Sequence, residues 1–173
     1  MCDIIYLLRS IINNLKIGTK LVEGGKVYTI YRINEEKADG KTRRIICYKP
    51  HYSNISNNTV ICSLPENNLT EANVRQPISA KELKEIIEGL SGKSRYLELD
   101  AIEAKLILES NSIYETAEII KRCWREKSEN EEGFTKTKRD ILELAIDKIV
   151  EEVALVGGTS LDTARLTITK ALS

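Results

Sequence analysis

The sequence has little of the material from which metal and redox sites are built. It contains one histidine, His51, and four cysteines, Cys2, Cys47, Cys62 and Cys123, which lie far apart with no Cys-x-x-Cys pair. This spacing excludes the usual zinc-binding motifs, because those motifs need closely spaced pairs of ligands. Cysteines on apolar stretches are most often buried thiols of a reduced, intracellular protein. We therefore expect no metal, no cofactor and a cytoplasmic location.

The short motifs of common enzymes and nucleotide-binding proteins are also missing. The sequence has no GxGxxG, GxxxxGK[ST], HExxH or GxSxG. A Ser–His or Cys–His nucleophile would have to use His51, which lies in a polar loop between Pro50 and Tyr52. The carboxylates are spaced as on the solvated faces of helices. The sequence therefore predicts that the protein is not an enzyme. If it is one, His51 is the only histidine available as a catalytic base.

Long hydrophobic runs are absent too, since no stretch approaches the roughly 20 apolar residues that a membrane helix needs. The N-terminus is partly apolar, but Asp3 and Arg9 interrupt it and no small-residue cleavage site follows, so we expect no signal peptide. Residues 3–13 instead predict an amphipathic helix that packs on the following domain or contacts a partner. No Lys/Arg cluster lies on its polar face, so a membrane-surface role is less favoured. The apolar stripe of this segment is Ile4, Ile5, Leu8, Ile11, Ile12 and Leu15.

The net charge is zero, but the two halves of the chain differ in sign. Residues 1–76 carry 11 Lys/Arg against 7 Asp/Glu, whereas residues 77–173 carry 15 Lys/Arg against 19 Asp/Glu. The basic half suits an acidic partner, and the acidic half is a poor general binder of phosphate.

Residues 15–74 have the pattern of a small strand-rich domain. Alternating apolar residues predict four strands, at 19–22, 26–33, 43–48 and 59–64. Asp39-Gly40 predicts a hairpin turn, because glycine tolerates the positive φ that such turns require. Pro65 is expected to end the last strand. Several short, curved strands in about 50 residues are typical of a small Tudor- or SH3-like barrel.

Residues 75–173 predict a compact bundle of five helices, separated from the strands by Pro77. The helices are expected at 79–90, 95–109, 110–127, 135–157 and 159–172, with N-terminal caps from Ser79, Ser110 or Ser112, Thr135 and Thr159. The third helix is the expected centre of the bundle, with the only tryptophan of the chain, Trp124, as a buried anchor. The other apolar stripes include Ile102 and Leu106 in the second helix and Ile141, Leu144, Ala145, Ile149 and Val153 in the fourth.

The order of these segments and three sequence motifs resemble a known family. The motifs are Arg75-Gln-Pro-Ile-Ser79 opening a helix with Glu82-Leu83, then Ala117-Glu118-Ile-Ile-Lys-Arg-Cys-Trp124, then Thr135-Lys-Thr-Lys before a long helix. This order resembles the CarD-like family of bacterial transcription regulators, whose first domain is shared with the transcription-repair coupling factor. The resemblance covers about residues 15–172 and includes the opening strand at 15–22.

The resemblance implies a regulator of transcription initiation whose Tudor-like domain binds the β subunit of RNA polymerase. Family members also place a helical domain at the upstream edge of the melting promoter, where an exposed tryptophan fills a gap in the minor groove. The positions that align with the family's polymerase-binding arginines are here Glu36 and Ser63. Our candidates for that contact are therefore the nearby Lys41, Arg43 and Arg44.

The wedge region also departs from the family pattern. The aligned residues are Leu97, Glu98, Leu99 and Asp100, and the two acids would repel phosphates. Contact with promoter DNA is therefore expected to be weak and independent of base sequence, through Lys93, Arg95, Tyr96 and Leu97. The alternative is a protein-interaction module that keeps the fold but serves another partner. Under either function we expect a monomer, or a weak dimer held by the N-terminal helix within residues 1–14.

Overall fold

The computed structural model describes residues 14–38, 41–92 and 100–173, with only the backbone described for Ala38 and Lys41. The chain divides into two compact units, Met1–Pro77 and Ile78–Ser173. The described part of the first unit carries four strands and that of the second carries five α-helices, so the fold is α+β. The helix predicted at 3–13 lies outside the described residues.

The strands of the first unit form one antiparallel sheet in chain order, β1-β2-β3-β4. Their bounds are β1 Lys20–Glu23, β2 Lys26–Ala38, β3 Lys41–Pro50 and β4 Cys62–Pro65. Gly24 and Gly25 join β1 to β2 with φ values of 57° and 80°, which a tight two-residue hairpin turn requires. All four predicted strands are present, and the two central ones are longer than the alternation of apolar residues indicated.

The sheet is open, so the closed barrel predicted from the sequence is not formed by the described strands. β1 pairs with β2 only, and β4 pairs with β3 only. The outer edge of β1 is instead occupied by a later part of the chain, since the backbone N–H and C=O of Val22 exchange hydrogen bonds of 2.8 and 3.0 Å with Arg75. This pairing satisfies the edge groups that closure would otherwise have used.

The last strand begins three residues later than predicted, at Cys62 rather than at 59. The preceding segment forms a turn in which the Asn54 side-chain oxygen accepts hydrogen bonds from the backbone N–H groups of Ser56 and Asn57. Asparagine favours such turns because its side chain competes with strand pairing. Pro65 is the final paired residue of β4, where its missing N–H is tolerated because β4 is an edge strand.

A β-bulge in β2 determines which side chains face the core of this unit. The pairing with β3 shifts at Tyr31, so Ile30 lies opposite Tyr48 while Arg32 lies opposite Cys47. Two residues three apart point to opposite faces of a regular strand, but the bulge turns both Ile30 and Ile33 toward the core. The core on this face contains Leu15, Leu21, Ile30, Ile46, Tyr48, Leu69 and Val74, with Ile33 packed against it. The other face, which we call the polar face, carries Lys20, Thr29, Arg32, Asn34, Glu36, Arg43 and Lys49, together with the buried Val22, Val27 and Cys47.

The five described helices agree with the predicted number and approximate positions. They are α1 Ala80–Leu90, α2 Ala101–Glu109, α3 Ile113–Glu129, α4 Lys136–Gly157 and α5 Leu161–Leu172. Ser79 and Glu82 form the predicted capping box of α1, and Ser112 and Thr135 cap α3 and α4. The cap of α5 is Ser160, one residue later than predicted. No helix in the described ranges combines the length and apolarity needed to cross a bilayer.

The centre of the helical unit is α4, and not the segment that ends at Trp124. α4 contacts each of the other four described helices. Trp124 is only half-buried, and its neighbour Cys123 takes the buried position at the end of the α3 stripe. The expected core residues Ile102, Leu106 and Leu144 are exposed, at 71%, 63% and 44%. In α2, Ala104 and Leu108 face the interior instead, a choice of helix face that a count of apolar residues does not reveal.

A buried carboxylate connects α4 to the beginning of the helical unit. Glu152 is completely buried, and its Oε1 accepts a hydrogen bond of 2.8 Å from the backbone N–H of Ile78. Ile78 immediately precedes the Ser79 cap, so Glu152 fixes the point at which the chain enters α1. Removing a buried acceptor leaves its donor without a partner, and this costs more than the bond contributes.

We predict that Glu152→Ala lowers the free energy of unfolding by about 2–4 kcal/mol, because it creates a cavity and leaves the backbone N–H of Ile78 without its acceptor. Glu152→Gln keeps an acceptor oxygen and should lose less. Glu143→Ala is the control, since it removes an exposed partner of Arg165 and should cost less than about 1 kcal/mol. Urea unfolding followed by the fluorescence of Trp124, the only tryptophan, measures all three. Equal losses for Glu152→Ala and Glu143→Ala would contradict this role.

Candidate functional site

The structure separates the roles of the two adjacent arginines predicted to contact a partner. Arg43 and Arg44 follow one another in β3, so their side chains leave the sheet on opposite faces. Arg43 lies on the polar face opposite Glu36, and Arg44 lies on the core face opposite Glu35. Lys41 pairs with Ala38 at the end of the hairpin, and its side chain is outside the described atoms.

Arg44 is held by contacts within its own unit. Its Nη1 donates to both carboxylate oxygens of Glu66, at 2.8 and 2.9 Å, and its Nη2 donates to the backbone oxygen of Leu15 at 2.9 Å. Only 12% of the Glu66 side chain is exposed. The guanidinium therefore connects β3 both to the 3-10 turn Glu66–Asn68 and to the backbone at Leu15. These contacts give Arg44 a structural role.

Arg43 is the available cation at this end of the sheet. Its side chain is exposed, and among the described residues it has no hydrogen-bond or ion-pair partner. It lines a concavity of about 440 Å³, which we call the hairpin concavity. Thr42, Arg43, Arg44, Pro65, Glu66, Asn67 and Asn68 line it. A guanidinium beside two side-chain amides is a set of donors suited to a carboxylate or a backbone carbonyl of a partner.

The candidate DNA-binding residues Lys93, Arg95, Tyr96 and Leu97 lie outside the described residues. The next residue that the structure describes is Asp100, whose Oδ1 accepts from the backbone N–H groups of Ile102 and Glu103 and so caps α2. The sequence had suggested this carboxylate as a source of repulsion toward phosphate, and its capping role went unrecognised.

The helical unit contains a groove between α1 and α3 that the sequence did not predict. It has a volume of about 230 Å³ and is lined by Glu85, Ile86, Gly89, Leu90, Tyr114, Ala117, Glu118 and Lys121. Tyr114 donates a hydrogen bond of 2.8 Å to Glu82, and partial burial together with this bond raises the pKa of Tyr114. Glu118 and Lys121 form an ion pair of 2.8 Å at the rim. The small residues Gly89 and Ala117, one on each helix, are the only sequence signal of this groove.

The three described cysteines differ in how far they are shielded from solvent. Cys47 and Cys123 are buried and Cys62 is half-buried. Burial first, and the Glu126 carboxylate second, raise the pKa of Cys123 to about 11, so its thiol stays protonated at neutral pH. Within the described ranges, no group of three or more His, Cys, Asp or Glu side chains is placed to hold a metal ion.

His51 lies in the exposed loop that the sequence predicted, just after β3, and its ring joins a cluster at the other end of the polar face. The Nζ of Lys20 lies 2.8 Å from the Thr29 hydroxyl oxygen and 3.1 Å from Nδ1 of His51. The Thr29 hydroxyl lies 3.2 Å from the same ring nitrogen. The His51 ring also contacts the edge of the Tyr52 ring, with 4.8 Å between centroids.

Comparison with known proteins adds no assignment to this geometry. The chain matches no protein-family model, and no curated protein matches its sequence.

We predict that Cys123 reacts with iodoacetamide far more slowly than Cys62 in the native protein. At pH 8 a thiol with a pKa of about 11 is about one-thousandth ionised, and burial of Cys123 adds a steric barrier. Its labelling rate should still rise steeply between pH 8 and pH 10, because the thiol has not yet titrated. Peptide mass spectrometry of timed samples measures each site. Equal rates for the two cysteines at pH 8 would contradict the described environment.

We predict that Arg44→Ala destabilises the strand unit and that Arg43→Ala does not. The loss for Arg44→Ala should be about 1–2 kcal/mol, because Glu66 loses a bidentate partner while the 34% exposure of the Arg44 side chain allows some solvent screening. Hydrogen exchange of β3 and β4 amides gives the local free energy of opening. A loss for Arg43→Ala as large as that for Arg44→Ala would show that both arginines are structural.

Proposed function

We propose that the protein is a CarD-like transcription regulator that binds the β subunit of RNA polymerase through its strand unit and modulates transcription initiation. Three features support this. The unit order of strands before helices follows the resembled family. The sequence motifs of that resemblance fall at the starts of α1 and α4 and within α3. The strand-rich half of the sequence has a positive charge excess suited to an acidic protein surface.

The observation that carries the proposal is the position of Arg43. It is an exposed cation that lines the hairpin concavity together with Asn67 and Asn68. A charge of this kind at the edge of an interface attracts an acidic partner during encounter, and the neighbouring amides then fix orientation through hydrogen bonds. Arg44 contributes indirectly, because its contacts with Glu66 and Leu15 hold the wall of the concavity in place. We also propose that the open sheet is a Tudor-like domain.

The helical unit has a smaller role in this proposal. Its sequence is acidic overall, and Glu98 and Asp100 stand where the resembled family places its wedge and basic residues. A surface of that charge releases few counterions from DNA, so binding to a duplex would be weak. The regulator would therefore depend on polymerase to bring it to the promoter, where Lys93, Arg95, Tyr96 and Leu97 are the candidate contacts.

The second candidate function is a protein-interaction module that serves a different partner. The groove between α1 and α3 favours it, because Ile86, Leu90 and Ala117 give this groove an apolar floor beside the polar groups of Tyr114, Glu118 and Lys121. Failure of the chain to bind polymerase at physiological salt would favour this candidate over the first.

We predict that Arg43→Gln slows association with the purified β lobe of RNA polymerase several-fold, with little change in the dissociation rate. The loss should shrink as salt is raised, because screening already weakens steering. Surface plasmon resonance at two salt concentrations measures both rates.

Lys49→Gln is the matched control for this measurement. It removes the same charge from the same strand, six residues away or about 20 Å along β3. We expect the Lys49→Gln variant to associate with the β lobe at the wild-type rate. Equal slowing by the two variants would reduce the effect to net charge, and an unchanged rate for Arg43→Gln would exclude the hairpin concavity as the docking site.

A further inference from the structure

The polar face of the sheet carries a second cationic site, well separated from the hairpin concavity. Lys20 in β1 lies opposite Thr29 in β2, and Thr29 lies opposite Lys49 in β3. Neighbouring strands are about 4.8 Å apart, so this row places two lysines about 10 Å apart with a hydroxyl between them. His51, at the end of β3, adds its ring beside Lys20. We call these four residues the cross-strand row.

The cations of the cross-strand row are not neutralised within the described part of the chain. The two hydrogen-bonding partners of the half-buried Lys20 are the Thr29 hydroxyl and the His51 ring, and both can be uncharged. Partial burial lowers the pKa of Lys20, as expected for an ammonium group without a carboxylate to offset its desolvation. Lys49 is exposed, and its described contact is with the face of the Tyr31 ring at 5.8 Å. An incoming anion would supply the missing negative charge.

Flat aromatic rings lie beside these cations. The bulge at Tyr31 brings that ring under Lys49, on the same face as the exposed Arg32. Tyr52 lies beside the ring of His51 at the other side of the cluster. Proteins that bind single-stranded nucleic acid combine cations along the phosphate backbone with aromatic rings on which the bases stack.

We propose that the cross-strand row binds the phosphodiester backbone of single-stranded nucleic acid, with Tyr31 as a stacking surface for a base. A phosphate offers several acceptor oxygens, so one group can accept from the Lys20 ammonium and the Thr29 hydroxyl while the next lies near Lys49. A duplex fits less well, because its bases are stacked on one another and cannot reach Tyr31. The row reads no base sequence, since each of its donors faces the backbone.

This site goes beyond the proposed function and does not require it. The polymerase contact rests on Arg43 and the hairpin concavity, and the nucleic-acid contact rests on Lys20 and Lys49. Either binding activity can therefore fail while the other is present.

The test is fluorescence anisotropy of the full chain with a labelled oligo-thymidine strand of about 12 nucleotides, titrated at several salt concentrations. Lys20→Gln/Lys49→Gln should weaken binding about tenfold or more. It should also reduce the slope of log K against log salt by about 1.4, since each phosphate of a single strand contributes about 0.7. Tyr31→Leu should weaken binding while leaving the slope unchanged, because stacking releases no counterions.

The matched control is Lys81→Gln/Lys84→Gln on α1, which removes the same charge from two exposed lysines. It should bind the strand like the wild type. Lys49→Gln alone, which loses only the contact with Tyr31, tests the site in case the double variant fails to fold. No binding by the wild type at low salt, equal loss in the control, or equally tight binding of a duplex or a poly-glutamate peptide would each overturn the proposal.

Discussion

The β-bulge at Tyr31 is the constraint on which the surface chemistry of this protein depends. It places Ile30 and Ile33 on the same side of β2, so one face of the sheet can be filled with apolar side chains. Four cations of β1, β2 and β3, namely Lys20, Arg32, Arg43 and Lys49, then lie on the other face. A regular strand would have buried a polar side chain or exposed an isoleucine at this point.

Adjacent residues of the same type acquire opposite roles from this alternation. Arg44 points toward the core face, meets Glu66 and the backbone of Leu15, and holds the 3-10 turn. Arg43 points the other way and has no described partner. The separation matters for function, because an arginine that already satisfies a partly buried carboxylate cannot be recruited by a partner without a cost in stability. Binding surfaces on this unit are therefore more narrowly defined than its charge suggests.

Local signals in the sequence predicted the number and approximate positions of the strands and helices. They did not predict the contacts between residues that are far apart in the chain. Helix caps such as Ser79 and Thr135, and the hairpin pairing of β2 with β3, depend on neighbours in the chain, so their residues are sufficient to predict them. The burial of Trp124 was predicted wrongly, because the apolar stripe of α3 was extended one turn past the core. The contact between Glu152 and Ile78 joins residues far apart in sequence, and no local pattern signals it. The open sheet was likewise hidden, since the edge pairing of Val22 uses Arg75.

The same distinction explains the candidate sites. Arg43 was chosen from its position near the predicted hairpin, and it is exposed there, whereas nothing in the sequence distinguished it from Arg44. Lys20, Thr29 and Lys49 come from three strands and become neighbours only through register, so the cross-strand row could not be seen before the pairing was known.

The most direct test of the central claim, that the hairpin end of the sheet around Arg43 binds polymerase, is to map backbone amide shifts of the full chain by NMR during titration with the polymerase β lobe. The account predicts that the perturbed amides cluster in β2 and β3 around Arg43, with α4 and α5 unaffected. Perturbations confined to the helical unit, with the sheet unchanged, would contradict it.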